Sequence, residues 1–315
     1  MKLNAATIYA LILAEAYALV RYTVGTTLPV VKIGFNYDRL SYGDSDTVNT
    51  NQTLNKFLAA SNMWIDYLST TYPNLLPGAA VQIISLPNED SAASGITTTN
   101  QLIQTSMVVG LVGSTYSSIS KASSILSAAF NVPQCDGSST SPELSNKNIY
   151  PLFFRTCPSD ELQGKAIFDY IYQQGWRRAS AMYETEAYGT GLFTVFTNYA
   201  ATYTDFTVIS SYQLPITPTG LTVSSWTSRL AKMKADQVFI ITLFGASTTF
   251  LYLAQAATAA GMKNEKYVWI GSDAMYDVSQ LAVQEGFVVF NPSEGTTCFE
   301  IRHRRSIDPV LFFVE

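Results

Sequence analysis

The feature that most constrains this chain is an alternation, run through twice, of short apolar stretches with longer stretches of helical spacing. Residues 29–37 (PVVKIGFNY), 80–86 and 107–112 are apolar runs, and 51–72, 97–105 and 120–130 follow them in turn. In 51–72, Leu54, Phe57, Leu58, Met63, Ile65 and Leu68 recur near helical spacing, and the stretch ends before Pro73. Strands that are apolar on both faces belong beneath helices on both sides, and a strand, helix, strand order with right-handed crossovers makes a parallel sheet. After an extended connection at 153–156 the alternation resumes. Ser159 caps a helix over 161–174 that stops at Gly175, and 179–183, 191–203, 207–213, 226–234, 237–243, 248–260 and 267–270 continue it. Residues 214–225, rich in Pro, Thr and Ser, read as a surface loop. The predicted fold class is therefore α/β, with two doubly wound parallel-sheet lobes.

Composition removes several functions. A net charge of −5 and a pI near 5.0 argue against nucleic acid, whose phosphates need a basic face. The single histidine, His303, lies in a C-terminal basic cluster, Arg302-His303-Arg304-Arg305, so a Ser-His-Asp hydrolase lacks its base. Gly110-x-x-Gly113 lacks the remaining glycines of a dinucleotide turn. Cys135, Cys157 and Cys298 are spaced for neither a zinc site nor a disulfide framework, which leaves one pair plus a thiol, or no pair, open. No metal or cofactor is expected. Residues 1–18 read as a secretory signal peptide, with Lys2 before an apolar core and small residues near its end, the alternative being a buried N-terminal helix. Asn51-Gln52-Thr53 is a glycosylation sequon.

The stretch Gly110 to Gly164 holds two hydroxyl-rich turns, each placed after a strand. Ser114, Thr115, Ser117 and Ser118 stand in the first, and Ser138, Ser139, Thr140 and Ser141 in the second. In an open α/β sheet ligands bind outside the carboxyl ends of the strands, where hydroxyls and free helix N–H groups receive an anion. The same residues also cap helices and fill turns with no ligand present. A free α-amino acid needs anion donors together with a carboxylate and an aromatic face for its ammonium. Ser118, Ser138 and Thr140 are donors of the right kind; Asp160, Asp273 and Tyr188 are the acids and the ring. Each of the latter has a plainer reading, as a first-turn helix acid, a helix cap and a turn aromatic respectively.

The segments GSTYSSIS, FNVPQ, SSTSPELSNK, YPLFFRTCPSDELQGKAI, QQGW and YVWIGSDA resemble the ligand-binding "Venus flytrap" domain of type 1 periplasmic binding proteins, from about Leu28 to about Val289. They look closest to the extracellular domains of class C G-protein-coupled receptors, of metabotropic glutamate and GABA-B type, and to amino-acid binding proteins of bacterial ABC transporters. The resemblance implies that Ser117 or Ser118, Ser138 and Thr140 bind the ligand's carboxylate and amino groups, and that Asp160, Tyr188 and Asp273 complete the site. Phe244 is followed by Gly245 where GABA-B receptors place an aromatic, which disfavours γ-aminobutyrate.

The resemblance implies lobe 1 over 28–154, lobe 2 over 155–290 and an atypical tail over 291–315, with lobe 1 incomplete because the family's chain continues beyond this point. A C-terminally truncated lobe 1 should leave apolar sheet surface uncovered. The implied function is an extracellular or periplasmic domain that closes on an α-amino acid, as a receptor domain or as the binding protein of a transporter. An enzyme on a doubly wound fold and a non-binding remnant are weaker alternatives. A dimer through lobe 1 is left open, and neither a membrane domain nor a permease is encoded in these residues.

Overall fold

The computed structural model describes residues 28–38, 47–214, 222–246, 250, 253–264, 266–275, 287–292, 298–303 and 310–313, with the backbone alone for 47–53 and for the last three segments. The expected signal peptide lies outside these residues, as do 215–221 of the expected loop and most of the tail; the end of that loop, Val223 to Ser225, is instead the start of a helix capped at Thr222. Two compact units divide the chain, one of Met1–Ser139 with Leu144–Cys157, the other of Thr140–Glu143 with Pro158–Glu315.

The first unit is built on β1 (Val30–Asp38), β2 (Ala80–Asn88), β3 (Gly110–Val112), β4 (Gln134–Asp136) and β5 (Phe153–Arg155). All are parallel in the order β2-β1-β3-β4-β5, the doubly wound pattern in which the chain starts centrally and then reverses direction. Three helices join them: α1 (Thr47–Thr71), α2 (Ala92–Gln104) and α3 (Ser117–Ala129).

Side chains alternate across β1 with the pleat. Gly34 and Asn36 face α2: a methyl group at Gly34 would meet Leu111, Leu102 and Val108, and the Asn36 amide donates to Gly95 O and Thr99 Oγ1. Ile33 and Phe35 face α1, where Phe35 stacks on Phe57 at 3.7 Å between ring centroids. That second face is incompletely filled. An apolar cavity of about 710 Å³ lies along it, lined by Ile33, Phe35, Ile83, Leu111, Trp64 and Leu68 among others.

The second unit's sheet has the order β12-β11-β10-β9-β8-β6-β7. Its parallel part comprises β6 (Arg178–Glu184), β7 (Thr207–Leu214), β8 (Ile240–Phe244), β9 (Val268–Gly271) and β10 (Phe287–Pro292); β11 (Cys298–His303) and β12 (Val310–Phe313) add on antiparallel. The helices are α4 (Asp160–Gln173), α5 (Ala187–Ala201), α6 (Val223–Ala235) and α7 (Leu253–Ala259). One side of the sheet holds Phe168, Ile171, Leu192, Phe196 and Phe244; the other holds Trp226, Leu230, Met233, Leu243 and Trp269.

Several helices begin earlier than their apolar spacing predicts. Ser91 and Ser94 form a reciprocal capping box that starts α2 at Ala92, five residues ahead of the periodic run. α3 begins at Ser117 behind Tyr116, whose side chain makes no capping bond. Ser159 does cap α4, accepting from the Glu161 amide, and Gly175 follows that helix with φ +81°. Cys135 and Cys157 are free thiols.

Candidate functional site

In the first unit, β1, β3 and β4 deliver their carboxyl ends to the two hydroxyl turns. Gly113 opens the first of them at φ +93°, and a Cβ there would stand 2.2 Å from Asn36 O, so only glycine fits. Ser114 and Thr115 turn inward to Asp38, which is fully buried. Its carboxylate accepts from Ser114 Oγ at 2.5 Å, from the Thr115 amide at 2.5 Å, from the Thr115 hydroxyl, and from Asn88 Nδ2 at 3.0 Å. Ser117 is buried in the first turn of α3, and Ser118 beside it is partly exposed.

The second turn is arranged around Asp136, 2 % exposed at the end of β4. Its carboxylate accepts from the amides of Ser138 (2.7 Å) and Ser139 (3.1 Å), and from Ser120 Oγ on α3 (2.6 Å). Ser138 is exposed and Ser139 is buried. Burial holds the Asp136 carboxyl above its usual range, against the downward pull of these hydrogen bonds.

Thr140 belongs to the second unit, unlike Ser118 and Ser138 with which sequence reading groups it. The reason is local: Thr140 Oγ1 donates to Asp160 Oδ2 at 2.8 Å, and the Asp160 amide donates back to Thr140 O at 2.9 Å. Asp160 is the first residue of α4 and is buried. A helix N-terminus favours a carboxylate, so the position is supported electrostatically as well as by Thr140.

Tyr188 and Asp273 come together although 85 residues apart. Tyr188 sits in the first turn of α5, whose N-cap is Glu186, and its hydroxyl donates to Asp273 Oδ1 at 2.5 Å. Asp273 opens a 3₁₀ segment, Asp273–Met275, after β9, and it also accepts from the Ala274 amide at 2.9 Å; a helix capped by Asp273 would lie outside the described residues. Gln163, on the same face of α4 as Asp160 and three residues on, completes the set with a side-chain hydrogen bond to Asp273. Burial raises the Asp273 carboxyl above its usual range, and burial beside Asp273 and Asp160 raises the Tyr188 phenol well above 10. Gly189 allows the close approach: a Cβ there would lie 2.8 Å from both Glu184 N and Phe244 O.

Sequence reading missed Asp38, Asp136 and Gln163. Only Gln163 carried a usable signal, its helical spacing from Asp160.

Two α/β units with parallel sheets, and polar turns gathered at the strand ends, define a ligand-binding protein of the two-lobed periplasmic-binding-protein type. The comparisons agree. A family model for the receptor family ligand binding region matches residues 59–308, and the chain belongs to that family. It is 30 % identical over 200 residues to metabotropic glutamate receptor-like protein E of Dictyostelium discoideum, covering 58 % of this chain and 23 % of that protein. It is 27 % identical over 247 residues to the Drosophila melanogaster metabotropic glutamate receptor, covering 78 % and 22 %, and 26 % identical over 171 residues to the cat taste receptor type 1 member 3, covering 53 % and 19 %. This is a ligand-binding receptor domain related to the extracellular regions of class C G-protein-coupled receptors, and the matches span about a fifth of these relatives' length. Among the described residues no helix is long and apolar enough to cross a membrane.

Proposed function

We propose that this domain binds a free α-amino acid on the outer side of a membrane, as the sensing part of a receptor. The observation that carries the reading is the Asp273 cluster. Asp273 is a half-buried carboxylate whose donors among the described residues are a phenol, a carboxamide and a backbone amide, all neutral, so its desolvation is only partly offset. An ammonium beside it offsets that cost, Asp160 adds a second negative charge, and the Tyr188 ring offers a cation a π-face. Ser117, Ser118, Ser138 and Thr140 are the hydroxyl and amide donors that the family resemblance implies for the ligand's carboxylate. Hydrogen bonds to a charged group contribute roughly 1.5–3 kcal/mol each, so three or four account for much of the roughly 8 kcal/mol behind micromolar affinity. That several relatives are metabotropic glutamate receptors supports an amino acid over a sugar.

The test is isothermal titration of the purified chain against the twenty amino acids, repeated with Asp273→Asn. Heat from at least one amino acid, lost in the variant while circular dichroism stays native, supports the reading. Silence across the panel from a folded chain overturns it.

A further inference from the structure

We propose that Asp136 is a positioning residue that fuses the two hydroxyl turns of the first unit into one body, holding the Ser138 region in place through bonds that never touch the ligand. The inference rests on the amino-acid reading for its functional consequence, though its structural half stands without it.

The bonds form a closed chain. Asp136 Oδ1 gathers the Ser138 and Ser139 amides, and Oδ2 takes the Ser120 hydroxyl. Ser120 Oγ in turn accepts the Ser114 amide at 3.1 Å. Ser139 Oγ closes the circuit by donating to Ser114 O at 2.9 Å. Gln134 Nε2 donates to Gly113 O at 2.6 Å and ties β4 to the same turn, while Asp38 anchors its far side through Ser114 and Thr115. Asp136, Ser120, Ser139 and Ser114 are each at most 2 % exposed. A ligand at the exposed Ser138 therefore meets a turn whose backbone is already fixed, which lowers the ordering cost of binding.

A buried network of this kind has a signature that loss of general stability does not produce: cutting it at one turn loosens the other. The experiment is amide hydrogen exchange of the unliganded chain, wild type against Asp136→Ala, Asp136→Asn and Ser120→Ala, followed by titration with the amino acids. Asp136→Ala is expected to speed exchange at least tenfold at Ser138 and Ser139, and also at Ser114, which Asp136 does not touch. Asp136→Asn retains an acceptor for the two amides and an N–H for Ser120 Oγ, so it should restore most of the protection. Ser120→Ala cuts only the link and serves where Asp136→Ala does not fold; it should free Ser114 more than Ser138. Amino-acid Kd should rise tenfold or more in Asp136→Ala and within threefold in Asp136→Asn. Faster exchange confined to Ser138 and Ser139, or Asn and Ala variants that behave alike, overturns the proposal. A wild-type chain that binds no amino acid overturns the proposed function instead, and the exchange pattern then decides the network by itself.

Discussion

The two units answer the same problem, a carboxylate taken out of water, in opposite ways. In the first, Asp38 and Asp136 are surrounded by serine and threonine donors and backbone amides from turns that close over them. In the second, Asp160 and Asp273 lie at the starts of helical turns, with Thr140, Tyr188 and Gln163 as side-chain donors. The first arrangement turns acids into scaffolding and leaves hydroxyls such as Ser138 to face outward. The second sets its acids at helical turns beside a threonine and a tyrosine hydroxyl. Residue type alone therefore does not distinguish these acids; the donors gathered around each one do.

The sharpest way to break this comparison is to remove one acid of each kind. Asp273→Ala is expected to weaken amino-acid binding by about 100-fold or more, since leaving a charged group without its partner costs roughly 2–5 kcal/mol. Thermal unfolding of that variant should shift little, because a carboxyl already raised in pKa by burial stabilises the fold weakly. Asp38→Ala should do the reverse and unfold the first unit, leaving Asn88, Ser114 and Thr115 with buried polar groups. A folded Asp38→Ala protein with the wild-type melting curve would dissolve the distinction.

Gly113→Ala comes next. Its φ of +93° and the 2.2 Å approach to Asn36 O together predict a loss of roughly 2–4 kcal/mol, read as a lower urea midpoint at constant slope. A near-neutral result would show that the first turn can move away from β1, contrary to a rigid scaffold.

Acid titration sharpens the contrast further. The Asp136 carboxyl is raised above 3.8 by burial, so the folded protein holds that proton more tightly than the unfolded chain does. Its contribution is then fully present below the unfolded pKa and is lost as pH rises through the folded one. Wild type measured against Asp136→Asn should lose stability as pH rises above about 4, the difference flattening once Asp136 is ionised. A difference independent of pH would mean that this carboxyl is ionised throughout.

Much of this architecture was legible in the chain. The alternating apolar runs gave the two sheets, and Ser159 and Gly175 marked the ends of α4. What escaped was long-range. Nothing local distinguishes Asp136, followed by Gly-Ser-Ser, from an ordinary turn acid, because its burial is set by Ser120 on another element. Thr140 reads as a continuation of Ser138 and Ser139, and only the bond to Asp160, twenty residues on, moves it to the other unit. Asp273 is joined to Tyr188, 85 residues earlier, by a bond that no local pattern signals.

The smallest expected effect tests the expectation of an uncovered sheet face. The apolar cavity of about 710 Å³ between α1 and the first sheet is lined almost wholly by aliphatic and aromatic side chains, yet Ser61 on α1 contributes to its wall. Replacing that hydroxyl with a larger apolar group fills space without displacing a tightly packed neighbour. Ser61→Leu is therefore expected to stabilise by about 0.5–1.5 kcal/mol, or a few degrees in Tm, and to reduce binding of a hydrophobic dye. Because Ser61 faces the apolar cavity, amino-acid affinity should stay the same. Destabilisation by Ser61→Leu would mean that the helix already closes on the sheet in solution, and the two faces of β1 would then be equally well packed.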